Sequence, residues 1–271
     1  MTFQSILIAG CGNMGGAMLQ GWLAGGVNPA RFAVLDPALP AAPDGVRLYR
    51  DPPSGPVDVL LLGVKPQLFD AVAPGLVALA GPQTLVLSIM AGVELGSLKA
   101  RFPDARGVVR IMPNLAAALG KSPVALTALG LGAELQQQVS ALLAPLGTPE
   151  WLPEAQFDLV TALAGSGPAF VYRFIDALAA GAAALGMEPG QAQRLALATV
   201  EGAAMLAACS ADSPGELARK VASPGGTTEA GLKALDEGGV LGRLVEQTLR
   251  AARDRGAEMA AATRGEGAQQ S

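Results

Sequence analysis

Gly10-Cys11-Gly12-Asn13-Met14-Gly15 is a GxGxxG pattern that directly follows the apolar run SILIA and opens a helix-like stretch. Asp36 closes the next apolar run, FAVLD, at the spacing of about 20 residues where an acidic group holds a ribose diol. In that setting Gly10 permits a tight turn, Gly12 leaves room for a pyrophosphate against the backbone, and Gly15 lets helix and strand pack closely. The start of the helix then presents oriented N–H groups to the phosphates. A carboxylate at Asp36 repels a 2′-phosphate, which favours NADH over NADPH; Arg31, Arg47 and Arg50 are the nearby cations that a phosphate would need instead.

A second constellation lies near the other end. Ser223-Pro224-Gly225-Gly226-Thr227-Thr228 enters the helical run EAGLKALDEGG and offers consecutive N–H groups with three hydroxyls, an uncharged nest for a small carboxylate. An ordinary capped interhelical turn has the same composition. Two more loops, Gly63-Val64-Lys65-Pro66-Gln67 and Ser88-Ile89-Met90-Ala91-Gly92, follow apolar runs whose carboxyl ends are where an open parallel sheet binds its ligands. Small residues and Pro66 let a nicotinamide ribose lie against main-chain groups there, although Lys65 taken alone reads equally well as a solvated charge. Gly165-Ser166-Gly167-Pro168 falls inside a long helical stretch that it must interrupt or kink.

The 271 residues include no histidine, which removes Ser-His-Asp and Cys-His nucleophiles, an imidazole base and any His-ligated metal. Cys11 and Cys209 are too few for a disulfide framework or a four-ligand zinc site, so no metal is expected and a reducing, cytoplasmic setting is. Nineteen Lys and Arg against 23 Asp and Glu leave a net charge of −4, with no basic block interleaved with aromatics, so nucleic acid is not an expected partner. The start MTFQSILIAG lacks a basic region and a cleavage pattern, and its apolar stretch is far short of the ~20 residues of a membrane span. Charged residues make up only 15%, against about 25% in an average domain, so much of the surface is uncharged. That points to oligomer interface, or to the same compositional bias that produces 35 Gly and 20 Pro.

The elements that must position these groups change character midway. Up to Leu152, short apolar runs (SILIA, FAVLD, VDVLLLGV, TLVLSIM, then Val108–Ile111, Val124–Leu126 and Pro149–Leu152) alternate with helical stretches, a βαβ rhythm of parallel strands buried on both faces. From Pro153 the strand-like runs stop, and Ala/Leu-rich segments at helical spacing take over: 155–185, 191–208, 215–222, 229–237 and 241–262. Turns at MEPGQ, SADSPG, SPGG and DEGG separate them. The expected domains are therefore a nucleotide-binding domain over 1–152 and an all-helical domain over 153–271, with RGEGAQQS a frayed tail.

GCGNMG, GVKPQ, SIMAG, RIMPN, TALAGSGPAF and above all VASPGGTTEAGLKALDEGG resemble, over nearly the whole length, the pyrroline-5-carboxylate reductases. The resemblance implies an α/β Rossmann domain with a mostly parallel, doubly wound sheet, then an all-α dimerisation domain whose helices interleave with a second subunit. It also implies homodimers that assemble further, commonly to decamers, and hydride transfer from NADH or NADPH to the cyclic imine L-1-pyrroline-5-carboxylate to give L-proline. Carried over by residue, Ser223 and the amides of Gly226, Thr227 and Thr228 hold the substrate carboxylate, with Gly225 in the same turn, and the catalytic Thr228 hydroxyl faces the ring nitrogen. Gly63, Val64, Lys65, Pro66 and Ala91 line the nicotinamide end, and Asn13 and Met14 the pyrophosphate. The chain departs from the family pattern in three places. Leu115-Ala116 stands where Thr-Pro is usual, Ala222 where Thr or Ser is common, and Asp36 where NADPH-preferring members have a small or basic residue. A β-hydroxyacid dehydrogenase shares the plan but needs a catalytic lysine, and the stretch after GSGPA reads FVYRFIDAL with none. A related imine reductase is the other enzymatic alternative, and a non-catalytic dinucleotide-binding oligomer is the alternative of another class.

Overall fold

Apolar residues at every position of a four-residue run leave no face for water, so such runs form the inner strands of a sheet covered on both sides. In the computed structural model, which describes residues 3–263, β1 (Ile6–Ala9), β2 (Phe32–Leu35), β3 (Arg47–Tyr49), β4 (Val59–Leu62), β5 (Leu85–Ser88), β6 (Gly107–Met112), β7 (Ser122–Leu129) and β8 (Gly147–Trp151) make one sheet. Their order is β3-β2-β1-β4-β5-β6-β7-β8, and every pair is parallel except β6 with β7. This is the expected doubly wound, mostly parallel architecture. The exception arises because the link from β6 to β7 is a tight turn over Leu115–Leu119, too short for the crossover that a parallel pair needs.

The strand period of two sorts residues onto the two faces. Ile6, Ile8, Phe32, Val34, Val59 and Leu61 pack under α1 (Asn13–Ala24) and, beyond the later strands described above, under a helix over Ala133–Leu143. Leu7, Ala9, Leu60, Leu62 and Val86 pack under α2 (Phe69–Leu76) and α3 (Leu95–Arg101) on the opposite face. The Ala133–Leu143 helix, α4, meets α1 through the buried Trp22, whose Nε1 donates to the Leu142 carbonyl at 2.7 Å. Each fully buried Leu, Ile or Val contributes about 1.5–3 kcal/mol, so both faces hold the sheet firmly. Neither β3 nor α3 is evident from the sequence: one is a three-residue edge strand with mixed burial, the other a seven-residue helix with a glycine in its first turn.

After β8 come α5 (Phe157–Val160), a π turn over Thr161–Gly165, α6 (Gly167–Ala184), α7 (Pro189–Cys209), α8 (Pro214–Val221), α9 (Thr227–Asp236) and α10 (Val240–Thr263). The interruption expected at Gly165–Pro168 is this π turn followed by a break at Ser166. Two compact units result: the chain up to Ser166 together with the chain from Ala251 onward, and Gly167–Arg250. The change in sequence character at 152/153 and the division by compactness at 166/167 differ because Phe157 is buried with Met112 and Ala125 under the sheet. Within Gly167–Arg250 the buried cluster is small, formed by Ala179, Ala192 and Ala196 with Ile175, Ala182 and Ala183 of α6 against α7. The residues RGEGAQQS, expected to fray, lie outside the described residues. Among the described residues no single helix is long and apolar enough to cross a membrane.

Candidate active site

The glycine-rich turn joins β1 to α1 and sits at the carboxyl edge of the sheet. Gly10 has φ +88°, a conformation that L side chains rarely adopt, and a Cβ there would stand 2.8 Å from the Val64 amide nitrogen. β1 and β4 therefore deliver Gly10 and the Gly63–Val64 loop into direct main-chain contact. A Cβ on Gly12 would meet nothing within 4 Å, so the space in front of the turn is open, as a pyrophosphate requires. A Cβ on Gly15 would lie 2.8 Å from the Gly10 carbonyl oxygen, so this residue serves the close helix–strand packing. No side chain caps the start of α1, which leaves the first amides, those of Asn13, Met14 and Gly15, without intrahelical partners. These features fit a dinucleotide.

Asp36 follows β2 directly, and its carboxylate is held by three backbone amides. Oδ2 accepts from the Cys11 amide at 2.9 Å; Oδ1 accepts from the amides of Ala38 at 2.9 Å and Leu39 at 3.1 Å. It thus ties the glycine-rich turn to the loop after β2. Partial burial pushes its pKa up, but the three amides and the charge of Arg50 outweigh this and hold it below the ordinary value, so the group is ionised at neutral pH. Arg50 is turned onto the backbone, donating to the carbonyls of Asp36 at 2.7 Å and Pro40 at 3.4 Å, and Arg47 is exposed. Cys11 is buried; burial and the Asp36 charge raise its pKa, which keeps the thiol protonated and a poor nucleophile.

The loops after β4 and β5 lie beside the turn on the same edge. Lys65 is exposed and precedes the short turn Pro66–Leu68, with its carbonyl accepting from the Leu68 amide. Ile89 donates its amide to the Leu62 carbonyl at 3.1 Å, which joins the loop after β5 to the end of β4, and the Met90 amide donates to the Ser88 hydroxyl at 3.2 Å. Ala91 packs onto the cluster of Met112, Ala125 and Phe157.

Ser223–Thr228 belongs to the other compact unit and makes the turn from α8 into α9. Gly225 has φ +72°, and both of the turn's glycine amides are engaged within it. That of Gly225 donates to Glu229 Oε2 at 2.6 Å, and that of Gly226 to the Ser223 carbonyl at 2.9 Å. This corrects the expectation of a free Gly226 donor: closing the turn consumes that N–H. No side chain caps the start of α9, so the amides of Thr227 and Thr228 have no intrahelical partner, and Ser223, Thr227 and Thr228 are exposed. A groove of about 620 Å³ opens beside Gly225, Gly226 and Lys233.

Three residues with clear structural work escaped the sequence reading. Arg110, in the middle of β6, is 4% exposed and pairs with Glu154 at 2.9 Å; Asn114, after β6, donates to the Ala164 carbonyl of the π turn at 2.9 Å. The signal for Arg110 is a lone cation inside the strand GVVRIM, where only a specific partner makes burial tolerable. Glu154 carried no comparable signal.

A family model described as pyrroline-5-carboxylate reductase dimerisation matches residues 154–259. The pyrroline-5-carboxylate reductase of Pseudomonas aeruginosa is 38% identical over 274 residues, covering 96% of this chain and 98% of that protein. That of Methanosarcina acetivorans is 37% identical, covering 93% and 96%. Among solved structures, a pyrroline-5-carboxylate reductase from Coxiella burnetii superposes with a TM-score of 0.87 at 30% identity, over 95% of this chain and 99% of that one. A Plasmodium falciparum pyrroline carboxylate reductase with NADP bound has a TM-score of 0.80 at 21% identity, over 96% and 98%, a likeness of fold.

Proposed function

The chain belongs to the pyrroline-5-carboxylate reductase family, and on that premise we propose how its residues divide the work. It is an NAD(P)H-dependent oxidoreductase acting on a CH–NH group, reducing 1-pyrroline-5-carboxylate to proline. The bound nicotinamide supplies the hydride.

Gly10, Gly12 and Gly15 with the amides of Asn13 and Met14 hold the pyrophosphate, and Gly63, Val64, Lys65, Pro66 and Ala91 line the nicotinamide end. Asp36 retains lone pairs for a ribose hydroxyl while ionised, and its charge opposes a 2′-phosphate, so NADH is the preferred donor. The Ser223 hydroxyl and the amides of Thr227 and Thr228 hold the substrate carboxylate, with Gly225 and Gly226 shaping the turn. The single observation that carries this reading is the uncapped start of α9, which keeps amides available beside three hydroxyl side chains.

A protonated cyclic imine already accepts hydride, which is why a chain without histidine suffices. Fixing the carboxylate orients the ring so that its imine carbon, C2 of the pyrroline and C5 of the proline formed, would face the hydride donor, and orientation supplies most of the rate. The Thr228 hydroxyl bonds the ring nitrogen and keeps its proton in place. A hydroxyl is too weak an acid to be the sole proton source, so that proton arrives with the substrate or from water. The exposed apolar residues of α6, α7 and α10, such as Phe174, Leu206 and Leu244, are covered in a homodimer formed through these helices. Such dimers assemble further, to a decamer in the family's usual manner, and work in the cytoplasm on a small-molecule substrate without nucleic acid or membrane.

The test combines purified protein with L-pyrroline-5-carboxylate and either NADH or NADPH, following cofactor oxidation and proline formation. Proline formed faster with NADH supports both the reaction and the role of Asp36; a clear NADPH preference overturns the latter alone. Thr228→Ala is expected to lower kcat about 10- to 100-fold with cofactor affinity unchanged. An unaltered kcat removes Thr228 from the mechanism.

A further inference from the structure

Between Ser88 and Leu95 the chain runs from the end of β5 to the start of α3, carrying Ala91 past the nicotinamide end of the site. Met90 and Val93 bury their side chains in the core, which pins the loop on either side of Ala91 and Gly92. After Met90 it turns through Gly92, at φ +76°, where the backbone lies against that of Ala260 in α10, and then enters α3. The amide of Leu95, at the loop's exit, donates to Glu154 Oε1 at 2.8 Å. The same oxygen accepts from Arg110 Nη1 at 2.9 Å. Arg110 also lays its guanidinium 4.4 Å from the centroid of the Phe157 ring, the ring on whose cluster Ala91 rests. One buried cation in β6 therefore contacts both the acid that anchors the loop's exit and the aromatic ring of the cluster on which Ala91 packs. Its strand register places it directly opposite Ser88, where the loop begins.

We propose that Arg110 is a positioning residue for the nicotinamide-side loop. Acting through Glu154 and Phe157, it sets the height of Ala91 and hence the alignment of the hydride-bearing ring. The inference rests on the assignment of Ala91 to the nicotinamide end made above. A rigid guanidinium suits the task better than an ammonium, because its plane stacks on Phe157 while its edge bonds Glu154. Arg110 Nε has no acceptor among the described residues, so Glu154 is the one hydrogen-bonded anchor of the guanidinium there. Burying a cation at 4% exposure in a strand that an apolar side chain would fill is costly, which argues for a role beyond packing.

The test compares Arg110→Lys and Glu154→Gln with the wild type by three readouts: kcat for proline formation, affinity for NADH, and affinity for ADP-ribose, which lacks the nicotinamide. Misplacement of the ring by a fraction of an ångström lowers kcat by about 10- to 100-fold in Arg110→Lys, and less in Glu154→Gln, whose amide oxygen still accepts from Leu95. The advantage of NADH over ADP-ribose narrows while ADP-ribose itself binds as in the wild type. Unchanged kcat and unchanged NADH advantage overturn the proposal. So does parallel weakening of both ligands, which marks Arg110 as a support of the whole nucleotide domain; Glu154→Gln gives the same readouts should Arg110→Lys fail to fold. A wild type that makes no proline refutes the substrate assignment instead, and the two affinities still decide the role of Arg110.

Discussion

The sheet-bearing unit and the helical unit of this chain satisfy their apolar residues in opposite ways. In the first, β1, β2, β4 and β5 are buried at every position, and helices close both faces from the same chain. In the second, α6 and α7 bury little more than a seam of alanines against each other, while Leu195, Leu197, Met205, Leu206 and Leu244 stand exposed. Burial by neighbours in sequence makes the first unit self-sufficient. Small residues let α6 and α7 approach closely but leave large side chains exposed, the apolar surface that the proposed homodimer would cover.

The sharpest way to break this contrast is a charge on the helical unit. Leu206 is 72% exposed, and Leu206→Glu is expected to place an unpaired carboxylate in the dimer interface at a cost of several kcal/mol, weakening association about a hundredfold or more. Size-exclusion chromatography should then show monomers that have lost proline formation yet still bind NADH. A variant that stays dimeric would put the interface elsewhere.

Gly10→Ala probes the other unit. A side chain at φ +88°, with its Cβ 2.8 Å from the Val64 nitrogen, costs about 1–3 kcal/mol and lowers Tm by several degrees. Nucleotide affinity is expected to fall while the oligomeric state holds, the reverse of the Leu206→Glu pattern. Unaltered binding and Tm would mean that the turn yields more readily than its contacts indicate.

The smallest effect is that of pH on the Asp36 tie. Its folded pKa lies below the unfolded one, so its contribution is complete above the unfolded value, about 3.9, and is lost as pH falls through the folded pKa. Asp36→Asn removes the ionised acceptor from the Cys11, Ala38 and Leu39 amides and is expected to cost about 1 kcal/mol at neutral pH. Urea unfolding across acid pH should show a shallower loss of stability in the variant than in the wild type. Parallel profiles would assign the acid sensitivity to another group.

Strand and helix content was legible wherever a period ran long enough. SILIA, FAVLD and VDVLLLGV announced buried strands, and the break at Gly165–Pro168 was visible from its glycines and proline. β3 was not, because three residues at a sheet edge show no alternation. The antiparallel turn of β7 was not, because direction depends on the length of the link and not on the strand's own residues. At the site, GxGxxG and SPGGTT marked themselves by residue type. The pairing of Gly226 with Ser223, and of Gly225 with Glu229, depends on how the turn closes and left no trace in composition.

The sequence by itself determined the nucleotide turn, the absence of imidazole chemistry and the division into an alternating half and a helical half. Each of these follows from residue type and local spacing, which act over a few neighbours along the chain. Only the tertiary structure decided that Asp36 binds the glycine-rich turn and the loop after β2. It alone decided that Arg110 reaches Glu154 across 44 residues, and that residues 251–263 of α10 belong with the sheet-bearing unit. Those contacts join residues far apart in sequence, and a charged group's partner is set by which strands and helices the folded core brings beside it.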